Sequence, residues 1–322
     1  LDGDGVKRYL LRRLGVSALL LFLILTATFF IIHVAPGDPS RLYLDPSVSL
    51  QAQARLRTAL GLDKPLAVQY RQWVVQTLQG NLGVSFYYHR GVRSLLAETV
   101  PKTLLLSATA LALEFGIAIL AGIFAATRRG RAARGAYHGV SLFLCSIPSF
   151  WLGLILILVF SYGLGILPPS HMSDIGMEGS PWNVLRHLIL PALTLAIPGA
   201  AATSRFMFKS FEEVLRQPYM LTHTLYHLPR REILFTFALK NALLPMITLF
   251  GLSLPFLVSG ALITEVIFSW PGMGRLAYNA ILTRDYPLII GASLLSSFMV
   301  LAGNVLADLL YGLADPRIRH AR

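Results

Sequence analysis

Charge and cysteine are both scarce in this chain. Of its 322 residues only 14% are charged, against 55% hydrophobic, and the mean hydropathy is +0.61. A soluble domain carries nearer a quarter charged residues, so the composition is that of an integral membrane protein. The single cysteine, Cys145, excludes a disulfide framework and a multi-cysteine metal site. No Gly-Lys dipeptide occurs, which removes the phosphate-cradling G-x-x-x-x-G-K-[ST] loop; H-E-x-x-H and G-x-S-x-G are missing as well. His171 and His187 flank one loop without a partner at metal-ligand spacing, and read as surface or interfacial residues. These gaps leave neither a resident cofactor or metal nor a catalytic group, so the chain is expected not to be an enzyme.

What it does contain is apolar runs. Six stretches approach the roughly 20 residues needed to cross a bilayer: 14–34, 103–126, 137–162, 188–207, 241–264 and 286–307. None alternates with a strand period, and helices satisfy their own backbone in lipid, so the expected fold is all-α. The formal charge of +12 sits beside these runs, where membrane topology accounts for it better than nucleic acid does. Basic residues cluster at 7–13, 128–134, 205–240 and 317–322, which predicts cytosolic N- and C-termini. The segment 35–102 then lies outside, with amphipathic patterns whose apolar faces are Leu56, Leu60, Val68, Trp73, Val74 and Leu78.

The stretch 208–240 is a polar, helix-prone insert between the fourth and fifth spans. Pro218 suits a helix start, and Pro229 disfavours helical geometry at Leu228. A second helix from Arg230 to Ala242 would feed the fifth span. The pattern predicts a short helix across the cytosolic face, tethered at both ends to membrane helices. On pattern alone it is equally a docking element or a basic amphipathic hairpin on anionic headgroups.

Specific motifs separate these readings. The insert resembles the EAA loop of bacterial ABC-importer permeases. The rest is similar to the peptide/nickel (dipeptide/oligopeptide) permease subfamily nearly end to end: Ala35-Pro-Gly-Asp-Pro, Gly80-Asn-Leu-Gly-Val-Ser, Ser146-Ile-Pro-Ser-Phe-Trp-Leu-Gly, Asn241-Ala-Leu-Leu-Pro, Phe268-Ser-Trp-Pro-Gly-Met-Gly and Arg284-Asp-Tyr-Pro follow in the family's order. The resemblance implies a type I ABC-importer permease fold with six transmembrane helices and an extracytoplasmic helical segment between helices 1 and 2. It implies a place in the bacterial cytoplasmic membrane beside lipid, a second permease subunit, two ABC ATPase subunits that bind ATP and Mg, and an extracytoplasmic substrate-binding protein. Its organisation would be a cytosolic N-terminus at 1–13, a first span at 14–34, the external segment at 35–102, a permease core at 103–312 and a cytosolic tail at 313–322.

By the same resemblance, ATPase coupling falls to Tyr219, Thr222, His223, His227, Leu228, Pro229 and Arg231. His223 and His227 stand where the family has alanine and glycine. Small and polar residues on one face of the fourth and fifth spans, Thr194, Pro198, Ala202, Thr248, Pro255 and Ser259, either line a pathway or pack against another helix. Glu265, Phe268, Pro271 and Gly272 form a turn that either gates or faces the binding protein, or stabilises the local hairpin. Glu114 is an acid within a span with no partner visible in sequence. The implied function is import of di- or oligopeptides, with nickel chelates or glutathione as alternatives within the family. The rival classes are a stand-alone secondary transporter or channel, and a membrane scaffold.

Overall fold

The computed structural model describes residues 3–34, 58, 63–128, 130–220, 229–255 and 261–314, and among them the only regular elements are helices, apart from one isolated bridge between Val84 and Gly91. In chain order the helices are α1 (Gly3–Val34), α2 (Leu66–Leu78), α3 (Val92–Thr127), α4 (Arg131–Ser146) and α5 (Ser149–Leu156), which runs on as a π-turn over Ile157–Gly163. Next come α6 (Pro181–Leu215) and α7, built of Arg230–Glu232, a π-segment Ile233–Ala238 and Leu239–Ala242. The last four are α8 (Leu244–Ser253), α9 (Leu262–Ile267), α10 (Met273–Leu282) and α11 (Tyr286–Ala314).

Among the described residues three helices are long and apolar enough to cross a membrane: Val92–Thr127, Pro181–Leu215 and Tyr286–Ala307. Two further candidates are bent pairs, and the apolar part of α1, Gly15–Ile31, is shorter. The uncharged run 137–162 reads as one straight helix, yet α4 and α5 meet at 99°. The cause is Pro148, which lacks an N–H and holds Ile147 extended (φ −72°, ψ 124°). The 241–264 run is likewise interrupted. α7 and α8 bend by 46° where Pro245 enters the first turn of α8, and that helix stops at Ser253. Pro191 and Pro198, by contrast, lie inside an unbroken α6 whose start is capped by Ser180, its hydroxyl accepting from the Asn183 amide.

The chain divides into two compact units. The first comprises 1–102 and 271–301. Its α2 meets α1 through aromatic contacts: the Phe29 ring lies 5.4 Å from Trp73 and 5.2 Å from Tyr70, and Tyr70 shares a 2.7 Å hydroxyl contact with Thr26. Of the residues assigned to the apolar face by periodicity, Trp73 makes this contact together with Tyr70, whereas Val68 and Leu78 are 39% and 82% exposed. Leu56 and Leu60 lie outside the described residues. The turn after α2 is pinned by Asp285, which is 1% exposed. Its carboxylate accepts from the Ser85 hydroxyl at 2.5 Å and from the amides of Phe86 and Tyr87 at 3.0 and 3.1 Å. It also caps α11 by accepting from the Leu288 amide at 3.3 Å.

The second unit comprises 103–270 and 302–322 and is organised around α6, against which α4, α5, α7, α8 and α9 all pack. α3 approaches α6 closely because Gly122 has no side chain: a Cβ there would lie 2.7 Å from Met207 Cβ and 2.9 Å from the Phe208 nitrogen. Gly116, two turns earlier on α3, faces open space. Gly122→Val is therefore expected to destabilise the detergent-solubilised protein by roughly 1–3 kcal/mol through overpacking. Gly116→Val should stay within about 0.5 kcal/mol, and thermal unfolding of the two variants compares them directly.

Candidate functional site

The insert between α6 and α7 is held at both ends by the second unit. Met220, two residues past Pro218, is 3% exposed and belongs to one buried cluster with Phe211 of α6, Ile233, Ala238 and Ala242 of α7, and Met246 of α8. Beside it Asn241 Nδ2 donates to the Tyr219 hydroxyl at 3.0 Å. The Ser210 hydroxyl donates to the Ala242 carbonyl at 3.0 Å, a second tie between α6 and α7. Pro229 starts α7, its carbonyl accepting from the amides of Glu232 and Ile233. Arg231 is exposed. Thr222, His223, His227 and Leu228 lie outside the described residues, and so does Ser259.

Charge closes the same end of the bundle. Glu212 on α6 accepts from Arg134 of α4 at 2.9 Å and from Arg216 at 3.0 Å. The basic cluster at 128–134 is thus joined to the helix that leads into the insert. Sequence reasoning missed Met220 and Glu212. Met220 had a helical-face signal, but nothing in the sequence marks which face is covered.

The stripe on α6 does not present one uniform surface. Thr194 is fully buried, its hydroxyl donating to the Leu190 carbonyl at 2.8 Å while its methyl packs beside Gly153 of α5. Pro198 and Thr248 are half-buried, and Ala202 is exposed. Pro255 is half-buried and lies against Gly303 of α11. Glu114, whose partner the sequence does not reveal, accepts from the Thr203 hydroxyl at 2.9 Å. Its carboxyl fills the space above Gly199, where a Cβ would come within 2.6 Å of it.

Two of the four turn residues belong to the second unit and are buried there. Glu265 is 0% exposed and accepts from the Thr103 hydroxyl at 2.6 Å, while its own carbonyl accepts from the Trp270 amide at 2.9 Å. Phe268 is packed with Leu152, Leu156 and Leu190, and its carbonyl accepts from the His171 amide at 2.7 Å. In the first unit Gly272 precedes α10, its carbonyl accepting from the Leu276 amide, and Pro271 is half-buried. These contacts do the work of turn stabilisation, one of the alternatives open in the sequence.

His187 is only 4% exposed, so it is a core residue rather than the surface or interfacial one expected. The loop 164–180 folds back over the start of α6 and covers it. Asn183 Nδ2 donates to Asp174 Oδ2 at 2.6 Å, and the Asp174 amide donates to Asn183 Oδ1 at 2.8 Å. The Asn183 amide, with the neighbouring His187 and Arg186 adding to it, holds the Asp174 carboxyl below the ordinary carboxylate range. A depressed folded-state value means that the clasp adds stability above the unfolded-state pKa of about 4 and loses it as pH falls through the lower folded value. The protection factor of the Asp174 amide against hydrogen exchange is therefore expected to be unchanged at pH 5 and to fall only below about pH 4. Asp174→Asn should abolish that dependence.

Residues 118–320 match the model of the binding-protein-dependent transport system inner membrane component, and residues 6–107 match that family's N-terminal membrane component. The di/tripeptide transport system permease protein DppB of Pseudomonas aeruginosa is 39% identical, with 98% of this chain and 99% of that protein covered. The oligopeptide transport system permease protein AppB of Bacillus subtilis is 36% identical over 97% of this chain and 99% of its own length. The dipeptide transport system permease protein DppB of Escherichia coli K12 is 34% identical over 98% and 99%. With a family model spanning most of the helical core and relatives matched from end to end, the chain belongs to the inner-membrane permease components of binding-protein-dependent ABC transport systems.

Proposed function

We propose that this chain is one of two permease subunits that together form the pathway of an ATP-driven importer of di- and oligopeptides. The peptide cargo rests on the names of relatives that match from end to end. In this reading six helices cross the cytoplasmic membrane: α1, α3, the α4–α5 pair, α6, the α7–α8 pair and α11. Both termini are cytosolic, the 35–102 segment is external, and a sister permease supplies the other wall. Two ATPase subunits carry ATP and Mg, and an external binding protein delivers the peptide.

The observation that carries the mechanism is the double anchorage of the 221–228 insert. A short element whose ends are packed into α6 and α7 cannot move without moving those helices, since packed interiors transmit displacement rather than absorb it. Closure of the ATPases on Thr222, His223, His227, Leu228 and Arg231 would be passed through Met220 and Tyr219 to α6, and through Pro229 to α7. Ala202 and Thr248, which the packing leaves at least partly open, are the best placed of the predicted stripes to line the pathway. Phe268 and Glu265 would gate by release of their turn rather than as a standing surface for the binding protein.

The test is peptide-stimulated ATP hydrolysis by the chain reconstituted with its sister permease, ATPases and binding protein. Stimulation by peptide is expected in the complete complex. Met220→Ser is expected to lower it about tenfold, equivalent to about 1.4 kcal/mol, while the ATPases still co-purify. Peptide uptake into liposomes by the chain alone would contradict the proposal.

A further inference from the structure

The loop 164–180 and the first turns of α6 form an open polar cavity of about 150 Å³, lined in part by Leu167, Pro168, Asp174, Asn183, Arg186 and His187. Its chemistry is set by His187. Nδ1 lies 2.8 Å from the Ser170 carbonyl, which can only accept, so Nδ1 carries the proton. In the neutral imidazole Nε2 is then an acceptor. It is buried and makes no hydrogen bond, and the nearby acidic oxygen, Asp174 Oδ1 at 3.4 Å, is an acceptor too. Two acceptors thus stand side by side at a cavity, one of them on a side chain that is 96% buried by its 4% exposure. Asp174 is 58% exposed, so the site opens outward.

We propose that this cavity binds a primary ammonium group carried by a small zwitterion. An ammonium has three N–H donors and no acceptor, which matches Asp174 Oδ1 and His187 Nε2 together. Arg186 lines the same cavity and gives one N–H to the Ile166 carbonyl at 3.2 Å, which leaves further guanidinium donors for the ligand's anionic group. Ammonium plus carboxylate is the chemistry of a short peptide; ammonium plus phosphate is that of an ethanolamine lipid headgroup. Only the peptide source, as a receiving point on the outer face, rests on the importer reading. The recognition itself does not.

The full chain, with whatever subunits co-purify but without binding protein, is placed in phosphatidylcholine nanodiscs, whose lipid has no N–H on its ammonium. Glycylglycine is the probe, followed by saturation-transfer NMR. Saturable binding is expected, with no binding of N-acetylglycylglycine and at least a tenfold weakening in Asp174→Asn. Arg186→Gln is expected to weaken glycylglycine while leaving binding of ethanolamine, a bare ammonium, unchanged. Loss of the glycylglycine signal on changing to phosphatidylethanolamine identifies the lipid headgroup as occupant, and an unchanged signal identifies the free peptide terminus; both support the site. The proposal is overturned if glycylglycine fails to bind in phosphatidylcholine, if the acetylated probe binds equally, or if Asp174→Asn has no effect. A failed importer reading would show separately, as missing peptide-stimulated ATP hydrolysis with this binding intact.

Discussion

Burial of Met220 among Phe211, Ile233, Ala238, Ala242 and Met246 is the contact on which the remaining argument depends. Withdrawing a methionine side chain from water contributes about 1.5–3 kcal/mol. Its larger consequence is geometric: the residue that precedes the insert is fixed to α6, α7 and α8 at once. The hydrogen bond from Asn241 to Tyr219 and the one from Ser210 to the Ala242 carbonyl are modest, each worth about 0.5–1.5 kcal/mol net. Together they hold the end of α6 against α7.

The same helix serves the rest of the second unit. α6 meets α3 at Gly122, receives Glu114 over Gly199, and hydrogen-bonds α4 through Ser204 and Tyr137 at 3.0 Å. It runs unbroken past two prolines, because its neighbours hold it where the missing N–H groups would otherwise allow a kink. A displacement applied at Leu215 therefore has a continuous helix along which to travel toward Pro181. That continuity joins the insert to the opposite end of the bundle, where the Asp174 clasp covers the first turns of α6.

Much of this was legible in the sequence. Apolar runs identify the helices because lipid admits few alternatives, and motif order identifies the family. The size of the bends was not legible: Pro148 yields 99° and Pro245 yields 46°, while Pro191 and Pro198 break nothing. Pro148 and Pro245 stand at helix starts, where no intrahelical hydrogen bond is lost and the chain can turn, whereas Pro191 and Pro198 each remove one inside a helix packed on several sides. Asp285 did carry a local signal, an acid just before a proline-bearing helix start, yet its Ser85 partner is 200 residues away and only folding brings them together. Glu114 and Thr203, 89 residues apart, are the same kind of case. His187 misled because an isolated histidine beside a loop looks exposed until the loop is seen to close over it.

The central claim is that the anchored insert is the seat of an ATPase. Photo-crosslinking from a benzophenone side chain at Thr222, in the complex assembled in its native membrane, tests it most directly. The account predicts an adduct with the ATPase subunit whose yield changes when ATP is bound. Adducts with lipid alone, while the ATPase remains associated with the complex, would contradict it.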